Sequence, residues 1–301
     1  MSSWSGKTRG GIIGYKIFVF TIQHLGLSFA YFLLRFVVIY FILFSRKSFF
    51  STFRYFHKIL NYNSFKSFFK IFRNFYIFGQ ILIDKTALLA AFNNKFTFNF
   101  DGEEHLLKMV ESKAGGLLIS AHIGSFEIAG HLLTSRLHSK INIVMYEAEH
   151  QQIKDFLSNI LEKGNVNIIS IKDDFSHIYE ISNAIKNKEL VCIHGDRFMD
   201  GSKTIKASFF NREALFPNGP FYLAIKFNVP VSIVFAMKER KKHYHFYASP
   251  LNYYYQPKLN LTKKDDSTRA IIHDYVRELE AILLKYPEQW FNYYDFWEGV
   301  K

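Results

Sequence analysis

A long apolar run near the amino terminus constrains this chain more than any other feature. The twenty residues from Leu25 to Phe44 contain a single charge, Arg35, and the apolar character begins near Ile17. That length is sufficient to cross a bilayer as one helix, and the run is too long for a secretory signal peptide. We therefore expect a membrane helix and favour a span whose carboxyl-terminal end lies in the cytoplasm. A helix lying in the plane of the membrane surface is the alternative.

The segment after this run carries a second membrane signal. Between Ser48 and Phe78, phenylalanines and isoleucines recur every three or four residues, and cations lie between them: Arg54, Lys58, Lys66, Lys70 and Arg73. The pattern is typical of a helix that sinks aromatic side chains into lipid and pairs its cations with lipid phosphates. An ordinary helix pair packed on a core would give the same pattern. We predict that residues 1–84 form an N-terminal membrane-anchoring segment and that residues 85–301 form one further domain.

Composition and charge limit the partners of the chain. Its 301 residues are 49% hydrophobic, which supports a substantial core, and the formal net charge is +12. A basic surface attracts phosphates, anionic lipid or an acidic protein. Nucleic acid is not expected, because the aromatic residues cluster with apolar ones and no nucleic-acid-binding signature is present. The single cysteine, Cys192, excludes an internal disulfide and indicates a reducing compartment.

Beyond residue 84 the pattern alternates between short apolar strands and amphipathic helices. We predict strands at 96–100, 117–121, 141–146, 166–171, 190–194, 231–237 and 244–248, and helices at 103–113, 125–137, 151–163, 175–187, 219–227 and 266–285. This order predicts an α/β fold in which helices flank a mostly parallel sheet.

One histidine stands where the catalytic residues of such folds lie. The run GGLLISAHIGSFEIAG, residues 115–130, places His122 and Glu127 on a turn between a predicted strand and a predicted helix. Ligands of parallel sheets bind off the carboxyl ends of the strands. Gly124 lets the turn bend, so the two side chains can meet although residues five apart on one helix point away from each other. The alternative is a histidine satisfied by ordinary contacts at a strand end.

A second predicted strand ends in charged residues. His194, Asp196 and Arg197 follow the strand at 190–194, which places them along the same sheet edge as His122. Phosphate-binding glycine loops are absent, so no nucleotide is expected. Metal is not expected either, because no H-E-x-x-H pattern occurs and His131 would point away from the turn.

These residues are suited to acyl transfer. A histidine can take the proton of an acceptor hydroxyl as the new bond forms, and a carboxylate can fix its tautomer. The tetrahedral oxyanion needs hydrogen-bond donors. Backbone N–H groups at 123–125 or the Arg197 side chain could supply them, and the sequence does not choose between the two.

Several blocks resemble the lipid A late acyltransferases, the lauroyl and myristoyl transferase family of the wider lysophospholipid acyltransferase superfamily. They are the His122–Glu127 block, which matches the HX4E motif, GDRFMDGSKT from Gly195, FFNREALFPNGPFYLA from Phe209, VPV from Val229, and YPEQWFNYYDFW from Tyr286. The opening WSGKTRGG and the apolar run after it are also similar. The blocks cover nearly the whole chain in the order in which that family has them.

The resemblance implies a membrane enzyme that moves a fatty acyl chain to a lipid A-type glycolipid hydroxyl at the cytoplasmic face of the inner membrane. Acyl carrier protein, or else acyl-CoA, is the implied co-substrate, with no further cofactor. His122 is implied as general base, Glu127 as its orienting partner and Asp196 as a further catalytic residue. Substrate binding is assigned to Arg197, Phe216, Pro217 and Gly219.

Three alternatives remain open from the sequence. The acceptor could be a different lipid, such as an aminolipid or a polyene-type lipid, because an arginine common in the family after residue 146 is missing and Arg197 stands where many relatives have another polar residue. A membrane-bound hydrolase would use the same base on water. A non-catalytic membrane adaptor would keep the fold but lack the catalytic activity.

Overall fold

Strands and helices alternate through the chain after residue 96. The computed structural model describes residues 12–89, 96–125, 128, 136–146, 166–172, 174, 176–199, 201–254 and 261–298. Strands in these ranges are β1 (Thr97–Asp101), β2 (Gly116–Ser120), β3 (Ile141–Tyr146), β4 (Val166–Ile171), β5 (Leu190–His194), β6 (Thr204–Phe209), β7 (Arg212–Pro217), β8 (Val231–Arg240) and β9 (His243–Ala248). Helices are α1 (Ile12–Phe44), α2 (Arg46–Arg54), α3 (Ser64–Leu89), α4 (Glu103–Glu111), α5 (Ser176–Lys186), α6 (Gly219–Phe227) and α7 (Leu261–Lys285). A π-helical turn covers Tyr55–Ile59 and a 3₁₀ turn covers Pro287–Gln289.

Seven of the described strands form one sheet in the order β1-β9-β8-β2-β5-β3-β4. Every neighbouring pair in it is parallel except β8 with β9, which is antiparallel. The predicted α/β class, a mostly parallel sheet flanked by helices, is therefore confirmed. The strands β3, β4 and β5 and the helix α6 have the bounds that the sequence predicts. The predicted helix at 151–163 and most of the one at 125–137 lie outside the described residues.

The sequence prediction lacks the hairpin of β6 and β7. These strands pair antiparallel as a separate two-stranded sheet. Phe210 and Asn211 connect them with φ values of 51° and 58°. A two-residue loop with positive φ at both positions matches the right-handed twist of the flanking strands. Because asparagine tolerates this conformation well and phenylalanine does not, the local sequence gives only a weak turn signal.

The apolar run forms a helix that packs along the protein. Residues Ile17–Phe44 of α1 are long and apolar enough to cross a membrane. At Gly26 the φ of 80° breaks the helix into two parts. One face of α1 is buried in the same core as α3 residues, at Ile22, Leu27, Ala30, Tyr31, Leu34 and Val38. After the kink these residues lie on one face of the helix, at 27, 30, 31, 34 and 38, so α1 buries one side against the protein although its composition is apolar all round.

The opposite faces of α1, α2 and α3 are exposed and aromatic. They present Phe20, Phe29, Phe32, Phe36, Phe44, Phe50, Phe65, Phe68 and Phe69 to the surroundings. Exposed apolar surface on this scale marks an interaction with a membrane or a protein. The proposed division at residue 84 falls inside α3, which continues to Leu89 and carries contacts to the sheet.

The two faces of the sheet are covered by different helices. Leu117 and Ile119 of β2 belong to the core that includes residues of α6 and α7. Leu118 points to the other face, where it packs with Leu106 and Met109 of α4. This alternation follows from the two-residue period of a strand, and it puts Ser120 on the α4 face as well.

Candidate active site

His122 and Asp196 lie at corresponding places on adjacent strands. Strands β2 and β5 are parallel, and Ser120 is the register partner of His194. His122 and Asp196 each follow two residues later, so both leave the sheet at its carboxyl edge. The predicted edge location is thereby explained by strand register.

A hydrogen bond joins the two side chains. His122 Nδ1 lies 2.7 Å from Asp196 Oδ1, and the backbone N–H of His122 donates to Asp196 Oδ2 at 3.0 Å. The His122 side chain is 15% exposed and that of Asp196 is fully buried. When the ionised carboxylate accepts a hydrogen bond from Nδ1–H, the proton stays on Nδ1 and the lone pair of the neutral imidazole is on Nε2. This arrangement suits a general base that is oriented from behind by a carboxylate.

Further donors converge on Asp196. Its Oδ2 also accepts hydrogen bonds from Asn292 Nδ2 at 3.1 Å and from Trp290 Nε1 at 3.4 Å. Burial alone would raise the pKa of Asp196, but the charge and hydrogen bond of His122, with Arg197 and His194 nearby, hold that pKa well below its usual range. Asp196 is therefore an ionised group at neutral pH despite its burial.

The His122 ring also contacts a second histidine. The ring centroids of His122 and His194 are 4.2 Å apart at an interplanar angle of 55°. Because His194 is the register partner of Ser120, these three side chains lie together on the α4 face of the sheet.

A C-terminal strap, residues 286–292, covers the turn that carries His122. Within it Phe291 N donates to His122 O at 2.9 Å, and Gly124 N donates to Gln289 O at 3.0 Å. Ile123 and Trp290 form an isolated antiparallel bridge. Gly124 has a φ of 57°, and a Cβ there would collide with the carbonyl oxygen of Ala236, so only glycine fits. The strap thus acts as a short strand that fixes the turn carrying His122.

Helix α3 holds this strap. Asn74 is fully buried, and its Nδ2 donates to both Glu288 O and Trp290 O at 2.9 Å. The Glu288 carboxylate pairs with Lys70 and, at 3.5 Å, with Arg73. The N-terminal helices are therefore connected directly to the residues that support Asp196.

Strand β8 holds the strap from the other side. The Gln289 side chain accepts from Lys238 N at 2.9 Å and donates to Lys238 O at 2.8 Å. Lys238 Nζ in turn pairs with the buried Asp84 of α3, which also accepts from Tyr31 and Tyr244. Burial lowers the pKa of Lys238 and raises that of Asp84, while the ion pair opposes both shifts. This cluster joins α1, α3 and the sheet.

The backbone donors predicted for the oxyanion are used within the protein. Ile123 N donates to Ala121 O at 2.7 Å, and Gly124 N to Gln289 O. Ser125 N donates to Ala236 O at 2.8 Å. The Arg197 guanidinium donates to Asn292 Oδ1 and Phe291 O at 2.9 and 2.8 Å. Sequence reasoning left the choice between these two sources open, and the structure shows internal acceptors for both.

An apolar cleft lies on the α4 face of the sheet. It holds about 540 Å³ of space, part of it open to solvent, and its lining includes Phe100, Leu106, Leu118, Ser120, Cys192, Val234, Ala236 and Phe246. Asp101 and Glu103 are among its polar residues. Ser120, two residues before His122, lines the cleft, and so does Ala236, whose carbonyl accepts from Ser125 N, but His122 and Asp196 are not among the lining residues.

The predicted substrate-binding residues lie in different places. Phe216 is fully buried on the opposite face, with its ring 5.4 Å from that of Phe296. Pro217 ends β7 and Gly219 begins α6, as predicted for a helix start. A Cβ at Gly219 would meet no heavy atom within 4 Å, so no described part of the chain approaches it. The first turn of α6 does reach the β5 end, where the Phe221 ring packs against Gly195.

Glu127 lies outside the described residues, and the carboxylate that the structure places on His122 Nδ1 is that of Asp196. Of the five cations assigned to lipid phosphates, Arg54 pairs with Asp295, and Lys70 and Arg73 pair with Glu288.

Sequence reasoning missed the roles of Asn74 and Gln289, for which no local pattern exists. Trp290 and Asn292 carried a signal only through the closing block to which they belong.

Fold and site define an α/β enzyme whose histidine and aspartate meet at the carboxyl edge of a mostly parallel sheet, beside an apolar cleft. The chain belongs to the bacterial lipid A biosynthesis acyltransferase family, whose model matches residues 15–297. It is therefore an acyltransferase that acts on lipid.

Comparison with solved structures finds similarity to the crystal structure of the 1-acyl-sn-glycerophosphate (LPA) acyltransferase PlsC from Thermotoga maritima. The sequences are 14% identical, the TM-score is 0.39, and the match covers 85% of this chain and 98% of that chain. Curated protein sequences gave no match to this chain.

Proposed function

We propose that this enzyme transfers a fatty acyl chain from acyl carrier protein to a hydroxyl group of a lipid A-type glycolipid, with His122 as the general base. The observation that carries the proposal is the His122–Asp196 pair beside an apolar cleft, in a chain of the lipid A acyltransferase family. The reaction takes place at the cytoplasmic face of the inner membrane, where both a soluble carrier and a lipid acceptor are accessible.

The proposed chemistry follows from the orientation of the imidazole. The acceptor hydroxyl attacks the thioester carbonyl carbon while His122 Nε2 takes the hydroxyl proton. Asp196, bonded to Nδ1, stabilises the imidazolium that forms. The tetrahedral intermediate then breaks its carbon–sulfur bond, and the leaving thiolate takes the proton from Nε2. An ester and a free thiol result, and the base is regenerated without metal or cofactor.

The remaining site residues have supporting roles in this proposal. Glu127 follows the catalytic turn in the sequence and is proposed to orient the imidazole or the acceptor together with Asp196. Arg197 positions the C-terminal strap through Asn292 and Phe291. Phe216, Pro217 and Gly219 place the first turn of α6 against Gly195, and so shape the site from the far face of the sheet.

The surroundings of the pair fit a lipid substrate and an acidic carrier. The cleft lining is almost wholly apolar, which suits a hydrocarbon chain. Exposed aromatic residues on α1 to α3 would hold the enzyme at the bilayer that contains the acceptor. Lys203, Lys206 and Arg212 on the surface are proposed to meet an acidic carrier protein or an acceptor phosphate.

The test compares two histidine variants of the full chain in lipid nanodiscs. His122→Ala should reduce acyl transfer from acyl carrier protein to a lipid A precursor by about 10²-fold or more, measured by mass spectrometry of the product. His273→Ala is the matched control, because His273 also has an acid five residues later but is 80% exposed on α7. Transfer by His122→Ala at the wild-type rate would refute the assigned base.

Donor and acceptor are separated in the same assay. Replacing acyl carrier protein by acyl-CoA, and the lipid A precursor by an aminolipid, identifies the true pair from the relative kcat/KM values. Free fatty acid released without any acceptor would instead indicate a hydrolase.

A further inference from the structure

Ser120 carries a buried hydroxyl that makes no hydrogen bond to any described residue. The residue is 1% exposed, and its Oγ has no partner within the part of the chain that the structure describes. Buried polar atoms in native proteins are nearly always hydrogen-bonded, because an unsatisfied one bears the full cost of desolvation. A buried hydroxyl without a partner at an enzyme site suggests that its partner is a bound substrate.

The position of Ser120 in the cleft supports this explanation. Ser120 lines the apolar cleft next to Leu118 and Cys192. In strand register it is adjacent to His194, whose ring contacts that of His122. The hydroxyl is therefore a polar group within an apolar cleft, on the same face as the base and two residues before it.

The proposed reaction needs an oxyanion donor, and the donors first considered among the described residues already have internal acceptors. When the acceptor oxygen attacks a thioester, negative charge develops on the carbonyl oxygen, and preorganised donors stabilise it. The backbone N–H groups of residues 123–125 donate to carbonyls of the protein, and Arg197 is held by the C-terminal strap. An acyl chain inside the cleft would bring its carbonyl to the end of the cleft near His122, where Ser120 lies.

We infer that Ser120 Oγ–H donates a hydrogen bond to the carbonyl oxygen of the bound acyl thioester and to the oxyanion that follows. This inference rests on the proposed acyl transfer. The hydroxyl keeps its proton throughout, since the proton of the acceptor goes to His122 Nε2 and then to the leaving thiolate. Ser120 therefore acts as a catalytic hydrogen-bond donor, and its partner is the substrate.

The inference predicts opposite effects on stability and activity. Ser120→Ala removes a hydroxyl that has no partner in the folded protein, so the Tm should be equal or higher. The same change removes a donor to the transition state, so kcat should fall by about 10- to 10³-fold with little change in KM.

Ser232→Ala is the matched control. Ser232 is also fully buried on the strand next to β2, and it is the register partner of Leu118, so it points to the same face. Its hydroxyl, however, donates to Ser249 O at 2.8 Å. The control should therefore lower the Tm and leave kcat unchanged, the reverse of Ser120→Ala.

A substrate analogue distinguishes hydrogen bonding from cleft shape. Acyl carrier protein with its chain joined by a thioether has no carbonyl oxygen, so Ser120→Ala should bind it as tightly as the wild type does. Weaker binding of the thioether would overturn the inference, and so would a kcat within twofold of wild type. If His122→Ala is inactive while Ser120→Ala keeps full kcat, acyl transfer stands and this inference fails. A wild-type enzyme that transfers no acyl group refutes both.

Discussion

At the scale of single residues, the site depends on a carboxylate that is ionised although it is buried. Asp196 has no contact with solvent, yet it accepts hydrogen bonds from the side chain and the backbone of His122, from Trp290 and from Asn292. Four donors around one carboxylate compensate for the loss of water. The same donors fix its orientation, so the imidazole is held in one tautomer.

This ionisation predicts a pH dependence of stability. The folded-state pKa of Asp196 lies below the ordinary value of 3.8. Ionised Asp196 therefore stabilises the folded state above that pH, and the stabilisation is lost as the pH falls below it. Wild-type protein should lose stability more steeply between about pH 5 and pH 2 than Asp196→Asn, measured by denaturant unfolding at each pH. Equal slopes for the two proteins would contradict this.

At the scale of elements, the C-terminal strap joins the N-terminal helices to the turn that carries His122. Asn74 of α3 binds two of its carbonyls, and Gln289 binds both backbone groups of Lys238. The strap then supplies Trp290 and Asn292 to Asp196. Helix α3 is thus connected to His122 by hydrogen bonds that pass through the strap and Asp196, and it supports the site as well as presenting apolar surface.

This connection predicts that Asn74 is a positioning residue. Asn74→Ala should lower kcat by about tenfold with unchanged KM, because the strap is loosened and no substrate contact is lost. Ser67→Ala is the control on the same helix: Ser67 is equally buried but bonds only to main-chain oxygens of residues 62 and 63.

A double-mutant cycle separates positioning from general destabilisation. If Asn74 acts through the base, then adding Asn74→Ala to His122→Ala should cause no further loss of the residual rate. A second tenfold loss in that background would show that the helix affects activity by another route.

At the scale of the whole molecule, the exposed aromatic faces of α1, α2 and α3 lie on one structural unit. α1 packs against α3, with Leu34 in close contact with Gly79, so the apolar run is partly a core element of the protein. Its remaining surface continues onto α3 through residues such as Phe65 and Phe69. Burying this combined surface in lipid would remove it from water.

Lipid contact can be measured residue by residue. A bimane label at Phe36→Cys or Phe65→Cys, each exposed in the structure, should be quenched by brominated lipids in reconstituted vesicles. The control Tyr179→Cys lies on α5 and is equally exposed, but it should not be quenched. Equal quenching at all three positions would argue against a membrane-facing role of these helices. The depth of quenching at Phe36 also distinguishes a span from a helix in the surface plane.

The bounds of β3, β4, β5 and α6 and the edge location of the site followed from local patterns. The apolar runs at β3, β4 and β5 and the proline at the start of α6 are short-range signals that survive in the folded protein. The hairpin at Phe210 and Asn211 was missed, because its turn places a phenylalanine in a conformation that phenylalanine rarely adopts.

The sequence by itself determined the α/β class, the apolar N-terminal helix, and the placement of His122 and Asp196 after two parallel strands. The fold class and the helix are read from apolar periodicities of two or 3.6 residues. The placement of the two residues follows because sites in parallel sheets lie off the carboxyl ends of the strands. Only the tertiary structure decided that Asp196 binds Nδ1 of His122, that residues 286–292 cross the turn carrying His122, and that α3 holds them. The residues in these contacts are 74 to 216 positions apart in the sequence. The energies of such contacts depend on packing that no local pattern encodes.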